Sequence, residues 1–175
     1  PELPNLGAEP GAAVSIDYSE GALVGYRGYG ARDPSDPSDT SDTSAPRPLF
    51  AFGAGLSYTH FEYRNLTLRR GRTLEARFEV RNSGARAGAD VPQLYLTAAN
   101  AHPLLRLLAF ERLTLAPGES RTLVLIADPR FLGHFDETRR AWRVEGGRYR
   151  VALGHSATDL ALSAETDIVA QRLPP

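Results

Sequence analysis

The chain has 175 residues, the size of one domain with extensions, and its 20 basic and 21 acidic residues leave a formal charge of −1. That balance argues against a general nucleic-acid binder, and no apolar run approaches the ~18 residues that a membrane span needs. Every basic residue is Arg, and Lys, Met and Cys are absent, which excludes a disulfide framework, a thiolate nucleophile, a Cys-based zinc site, a Schiff base and a P-loop lysine.

The charge is divided along the chain. Residues 1–46 hold eight acids against two Arg, a balance of −6, whereas residues 47–175 hold 18 Arg against 13 acids, a balance of +5. Residues 1–13 are rich in Pro, Gly and Ala and have no period. Val14, Ile16 and Tyr18 then alternate with Ser15, Asp17 and Ser19, one short strand signal, before a glycine-punctuated stretch from Gly21 to Gly30. One strand and a glycine loop form no core by themselves. Residues 1–30 therefore read as the tail of a domain whose body lies upstream, and a chain opening Pro1-Glu2-Leu3 reads as a piece of something longer. Asp33 to Ser44 is a Ser-Asp-Pro/Thr tract without an apolar residue, which makes residues 31–47 a flexible linker. Residues 48–60 are too apolar for a solvated loop. They are expected to lie as a strap across a surface, with Gly53 and Gly55 allowing close backbone approach or positive φ.

From Phe61 the pattern is strand after strand. Leu74, Ala76, Phe78 and Val80 alternate with Glu75, Arg77, Glu79 and Arg81, the cleanest half-buried strand in the chain, and Asn82-Ser83-Gly84 closes it. Further strands are predicted over Val91–Thr97, with Pro92 at its start, and over Leu107–Leu115, Ser120–Ala127, Trp142–Val144, Tyr149–Leu153 and Leu160–Ala164. Pro117-Gly118 fits the centre of a type II turn. Turn signals at this spacing with almost no helical period predict an all-β, immunoglobulin-like β-sandwich. Tyr149 is placed to be its tyrosine corner, and Trp142, the only Trp, is expected in the core.

Chemistry-bearing constellations are scarce. The four His (His60, His102, His134, His155) show no metal-ligand spacing. Ser156 lacks the glycine two residues on that a nucleophile elbow needs. Asp136 and Glu137 are neighbours, and neighbours in a strand face opposite ways, so they make a poor acid/base pair across a sugar. Asp17 and Glu20 have no visible partner. Arg139, Arg140, Arg143, Arg148 and Arg150 form a basic cluster that reads as an exposed strand face, with polysaccharide contact as a secondary reading. No catalytic, cofactor-binding or metal-binding residue is assigned.

Five segments together resemble the C-terminal end of glycoside hydrolase family 3, the β-glucosidase and β-xylosidase family. They are Tyr18-Ser19-Glu20-Gly21 running to Gly25-Tyr26-Arg27; Pro48-Leu49-Phe50-Ala51-Phe52-Gly53-Ala54-Gly55-Leu56-Ser57-Tyr58-Thr59-His60-Phe61; Val80-Arg81-Asn82-Ser83-Gly84 leading into Val91-Pro92-Gln93-Leu94-Tyr95; Phe110-Glu111-Arg112 with Pro117-Gly118-Glu119; and Gly147-Arg148-Tyr149-Arg150-Val151 with Gly154-His155-Ser156. They occur in the family's order. Ala51 replaces the family's usual Pro, and Leu104 to Leu108 is rich in leucine where the family is often charged.

The resemblance implies a fibronectin type III-like sandwich over residues 61–168, a C-terminal tail over 169–175, and residues 1–30 as the end of a preceding α/β sandwich domain. It implies a catalytic barrel with the Asp nucleophile and an α/β sandwich with the acid/base Glu as partners within one parent enzyme. Both carboxylates would lie upstream of Pro1, so this chain inherits no catalytic role. The competing reading is a free-standing immunoglobulin-like binding or adhesion module.

Overall fold

A computed structural model describes residues 21–30 and 48–175. The strand expected at Val14–Tyr18 and the Ser-Asp tract lie outside the described residues. Among the described residues one short helix, α1 (Tyr26–Gly30), precedes twelve strands: β1 (Phe61–Arg69), β2 (Leu74–Asn82), β3 (Gly88–Asp90), β4 (Gln93–Ala99), β5 (His102–Phe110), β6 (Leu113–Leu115), β7 (Ser120–Ala127), β8 (His134–Asp136), β9 (Ala141–Val144), β10 (Gly147–Ser156), β11 (Asp159–Ile168) and β12 (Gln171–Leu173).

Two antiparallel sheets carry the fold, ordered β1-β2-β7 and β11-β10-β4-β5. The smaller pairings β12-β9-β8 and β3-β6 close the ends. Period-two alternation sends Leu74, Ala76, Phe78 and Val80 of β2 inward, where they meet Leu123 and Leu125 of β7, Leu94 and Leu96 of β4, and Tyr149, Val151 and Leu153 of β10. Each such Leu, Val or Phe contributes about 1.5–3 kcal/mol by leaving water. Among the described residues nineteen buried side chains form this core, enough apolar volume to hold the sandwich without disulfides.

Three local predictions hold. Pro92 sits just before β4, where its missing N–H costs no ladder bond. Gly118 has φ +75° and Glu119 N–H donates to Ala116 O at 3.1 Å, the geometry of a type II turn. The Tyr149 hydroxyl donates to Glu145 O at 2.8 Å, four residues upstream, which is the tyrosine corner.

The strand expected over Leu107–Leu115 is two strands. β5 ends at Phe110, and β6 leaves for a different sheet to pair with β3. Parity explains the break. Leu108 is buried, and so are Leu113 and Leu115; an odd offset puts the two sets on opposite faces of any single strand, so an unbroken one would expose one set. β5 also starts earlier than expected, at His102. A two-residue hairpin at Asn100-Ala101 joins it to β4, both residues having positive φ (50° and 67°). Ala101 carries none of the usual sequence signal for such a turn.

Candidate interaction surface

Residues 48–60 are fastened on one side and bare on the other. The Phe52 ring stacks on Tyr26 with centroids 4.1 Å apart. Phe52 O accepts from Ala157 N–H at 2.9 Å, and Gly53 O accepts from Gln93 Nε2 at 2.9 Å. The same Gln93 amide nitrogen donates to His155 O at 2.7 Å, and the Tyr95 hydroxyl donates to Gln93 Oε1. Gln93 thus clips the strap to the end of β10. Gly53 has φ +79°, and a Cβ there would run into the Gln93 amide. Gly55 has neither a close neighbour nor a positive φ. Leu49 (95%) and Tyr58 (93%) are nearly wholly exposed, as are Phe50 and Leu56. The strap was expected to lie packed across a surface; within this chain it buries little beyond Thr59, because its apolar side chains point away from the sandwich.

Buried polar groups hold the strap's far end. Asn82, wholly buried, accepts from Thr59 Oγ1 at 2.7 Å and from Gly84 N–H at 3.1 Å, and its amide donates to Arg86 O and Leu115 O at 2.7 and 3.1 Å. All four hydrogen-bonding positions of its side chain are filled. Asn82 reads from the sequence as a turn residue. Its even offset from Leu74 is the signal that places it on the inward face of β2.

A second cluster joins the two sheets beside the clip. The Tyr63 hydroxyl donates to Asp90 Oδ2 at 2.7 Å, and His155 Nδ1 lies 2.8 Å from that hydroxyl and 3.5 Å from Asp90 Oδ1. The imidazole stacks on the Tyr63 ring at 4.3 Å. Since Tyr63 gives its one proton to Asp90, His155 Nδ1 carries a hydrogen and donates to the phenol oxygen. Burial, followed by the Asp90 charge, pushes the Tyr63 pKa far up, so the phenol stays protonated. The contact of Nδ1 with Asp90 raises the His155 pKa against the opposing effect of burial, with the Asp90 and Asp159 charges adding to it.

Beyond Tyr26 the exposed surface continues as a groove of about 800 Å³ between α1, β5, the 3₁₀ turn Pro129–Leu132 and the β8–β9 hairpin. Phe110, Phe131 and Phe135 are exposed in it. Trp142 lies edge-on to Phe135 at 5.6 Å and is only half-buried, which corrects its expected place in the core. Its neighbours Ala141 and Val144 are buried instead. The groove's ionisable lining is Arg27, Arg106, Arg130 and His134; no carboxylate lines it among the described residues. Arg106 Nη1 donates to Phe131 O and Gly133 O at 2.8 and 2.7 Å, while its buried Nε has no partner among the described residues. Desolvation and then the nearby Arg27 charge lower the Arg106 pKa. Arg130 is paired with Asp128. The leucine-rich stretch Leu104 to Leu108 supplies Leu107 and Leu108 to the groove wall, and Leu107 N–H donates to the Tyr26 hydroxyl at 2.9 Å.

The remaining candidate residues are not brought together. His60, His102 and His134 are exposed and separate. Ser156 caps its own turn, accepting from the N–H groups of Thr158 and Asp159. Asp136 pairs with Arg139 at 2.8 Å, and that bond depresses its pKa. Arg148 and Arg150 face Glu165, and Arg148 also faces Asp167, so the basic strand face is matched by acids on β11. Asp17 and Glu20 lie outside the described residues.

With this geometry in place, the chain can be set beside known proteins. Residues 90–157 match the fibronectin type III-like domain family. Beta-glucosidase B of Emericella nidulans is 35% identical over 167 residues, covering 93% of this chain and 19% of that protein. Thermostable beta-glucosidase B of Acetivibrio thermocellus is 32% identical over 87% of this chain and 20% of its own length. Beta-glucosidase 3B of Thermotoga neapolitana, solved with α-D-glucose, superposes with a TM-score of 0.74 at 34% identity, over 90% of this chain and 21% of that one. The GH3 beta-glucosidase of Bifidobacterium adolescentis gives a TM-score of 0.76 at 29% identity, over 93% of this chain and 23% of its own. The chain matches the C-terminal region of family 3 β-glucosidases and carries their fibronectin type III-like domain. It spans about a fifth of the length of these relatives. The other domains of the same enzymes account for the rest, and the fibronectin type III-like domain is one part of a larger architecture.

Proposed function

We propose that this chain is the accessory, non-catalytic end of a β-glycosidase. Its sandwich stabilises a catalytic barrel and an α/β sandwich domain of the same protein, and those domains supply the nucleophile and the acid/base carboxylate. In this reading residues 1–30 end the α/β sandwich, 31–47 link, 48–60 form the strap, 61–168 form the fibronectin type III-like domain and 169–175 form a tail. The observation that carries it is the strap: pinned through Phe52, Gly53 and Thr59, with Leu49, Phe50, Leu56 and Tyr58 turned outward. Four large apolar side chains held outward by buried hydrogen bonds are a surface made to be covered.

Substitution at Tyr58 tests the reading. Tyr58→Asp is expected to lower the melting temperature and the glucosidase activity of the full-length gene product and to leave the melting temperature of the 175-residue chain unchanged. Equal effects on both would show that Tyr58 serves the sandwich alone. The purified chain is expected not to hydrolyse an aryl β-glucoside; turnover that disappears on substituting Glu20 or Asp136 would overturn the proposal.

A further inference from the structure

The groove between β5 and the β8–β9 hairpin has no part in the reading above, yet it is built unlike the rest of the surface. Three exposed Phe rings and the half-buried Trp142 line it, together with three Arg and a His and no carboxylate among the described residues. Arg106 is held partly buried by two backbone carbonyls, beside Arg27 and with no ion-pair partner among the described residues. Arg27 and Arg106 line the same groove with no carboxylate beside them among the described residues, which makes its surface positive and favours an opposing charge. The groove is also continuous with the strap. Tyr26 is the shared wall, stacked on Phe52 on one side and hydrogen-bonded to the Leu107 amide on the other. Leu23 and Val24, just before α1, are exposed at the same end.

We infer that this groove is a second docking site for the remainder of the parent enzyme, taking an apolar projection edged with carboxylates opposite Arg27 and Arg106. The inference rests on the strap-docking reading and deepens it. The occupant is argued from three observations. The groove adjoins the strap through the Tyr26–Phe52 stack, so a domain covering one reaches the other. The relatives carry about four-fifths of their length outside the region that this chain matches. The lining is basic and aromatic, which favours an acidic, apolar counterface, aromatic and Arg side chains being the groups that dominate buried interfaces.

Hydroxyl-radical footprinting of the 175-residue chain and of the full-length gene product, read by mass spectrometry at Tyr58, Phe135 and Trp142, tests it. Several-fold lower oxidation at all three positions in the full-length protein is expected. Protection at Tyr58 alone would overturn the groove inference and leave the strap reading standing. No protection at any position, or a gene that encodes no further domain, would overturn both. Arg27→Glu in the full-length protein is expected to restore oxidation at Trp142 while Tyr58 stays protected; unchanged protection at Trp142 would sink the acidic counterface. Protection of Trp142 in the isolated chain by a soluble β-glucan, with none in the full-length protein, would mark the groove as a carbohydrate site instead and overturn the inference.

Discussion

Asn82 and His155 govern the sandwich through hydrogen bonds, and they respond to different perturbations. Removing the Asn82 amide strands the Thr59 hydroxyl and the buried Leu115 carbonyl at once, and takes a partner from the part-buried Arg86 carbonyl. A stranded buried group costs roughly 1–3 kcal/mol, so Asn82→Ala is expected to destabilise the chain by about 3 kcal/mol, read as a lower urea midpoint with an unchanged slope. His155 responds to pH. Its pKa rises from 6.5 on folding because Asp90 lies 3.5 Å from Nδ1, with the Asp159 charge adding to it and burial opposing it. A pKa raised by folding means that the imidazolium's stabilisation is complete below about pH 6.5 and is lost as pH climbs through the raised value. The melting temperature is therefore expected to fall over that alkaline window, and His155→Gln to flatten the fall.

At the scale of elements, the strap and the end of β10 form one mechanical unit. Gln93 Nε2 bridges Gly53 O and His155 O, and Ala157 N–H holds Phe52 O. Gly53→Ala places a Cβ in the Gln93 amide and strains a backbone at φ +79°. The expected result is faster hydrogen exchange at the Ala157 amide, with exchange in the β2 core unchanged. A uniform acceleration through β2 and β7 would mean that the strap is part of the global folding unit. The break between β5 and β6 is an element-scale outcome as well. It delivers Leu113 and Leu115 to the core while leaving Phe110 and Leu107 facing the groove.

For the whole molecule, exposed apolar side chains gather on the strap and in the groove, two regions joined at the Tyr26–Phe52 stack, more than singly scattered surface hydrophobes. The isolated chain is accordingly expected to bind the dye ANS and to self-associate more readily in sulfate, which strengthens apolar burial. Leu56→Asp combined with Phe135→Ser should reduce the dye signal without shifting the melting temperature, since neither side chain belongs to the core. A large drop in melting temperature would place one of them in the sandwich's own stability.

The all-β class, the inward set on β2, the turn at Pro117-Gly118 and the tyrosine corner at Tyr149 were legible in the sequence, because each depends on a local period or on one residue's backbone preference. The likeness of five ordered segments to family 3 glycosidases was legible for the same reason: turns and glycine-punctuated segments are short-range patterns. The division at Glu111-Arg112, the αL hairpin at Asn100-Ala101 and the half-exposed place of Trp142 were decided by which face each strand turns to the other sheet, and no window of sequence contains that choice. The groove is the furthest from sequence of all. Arg27, Arg106, Phe131 and Trp142 are separated by up to 115 positions, and only the packing of α1, the 3₁₀ turn and the β8–β9 hairpin beside β5 sets them on one surface. Composition and period determined that this chain folds as a sandwich; the tertiary structure decided which apolar residues that sandwich leaves uncovered, because exposure is a property of the assembled sheets and not of any strand alone.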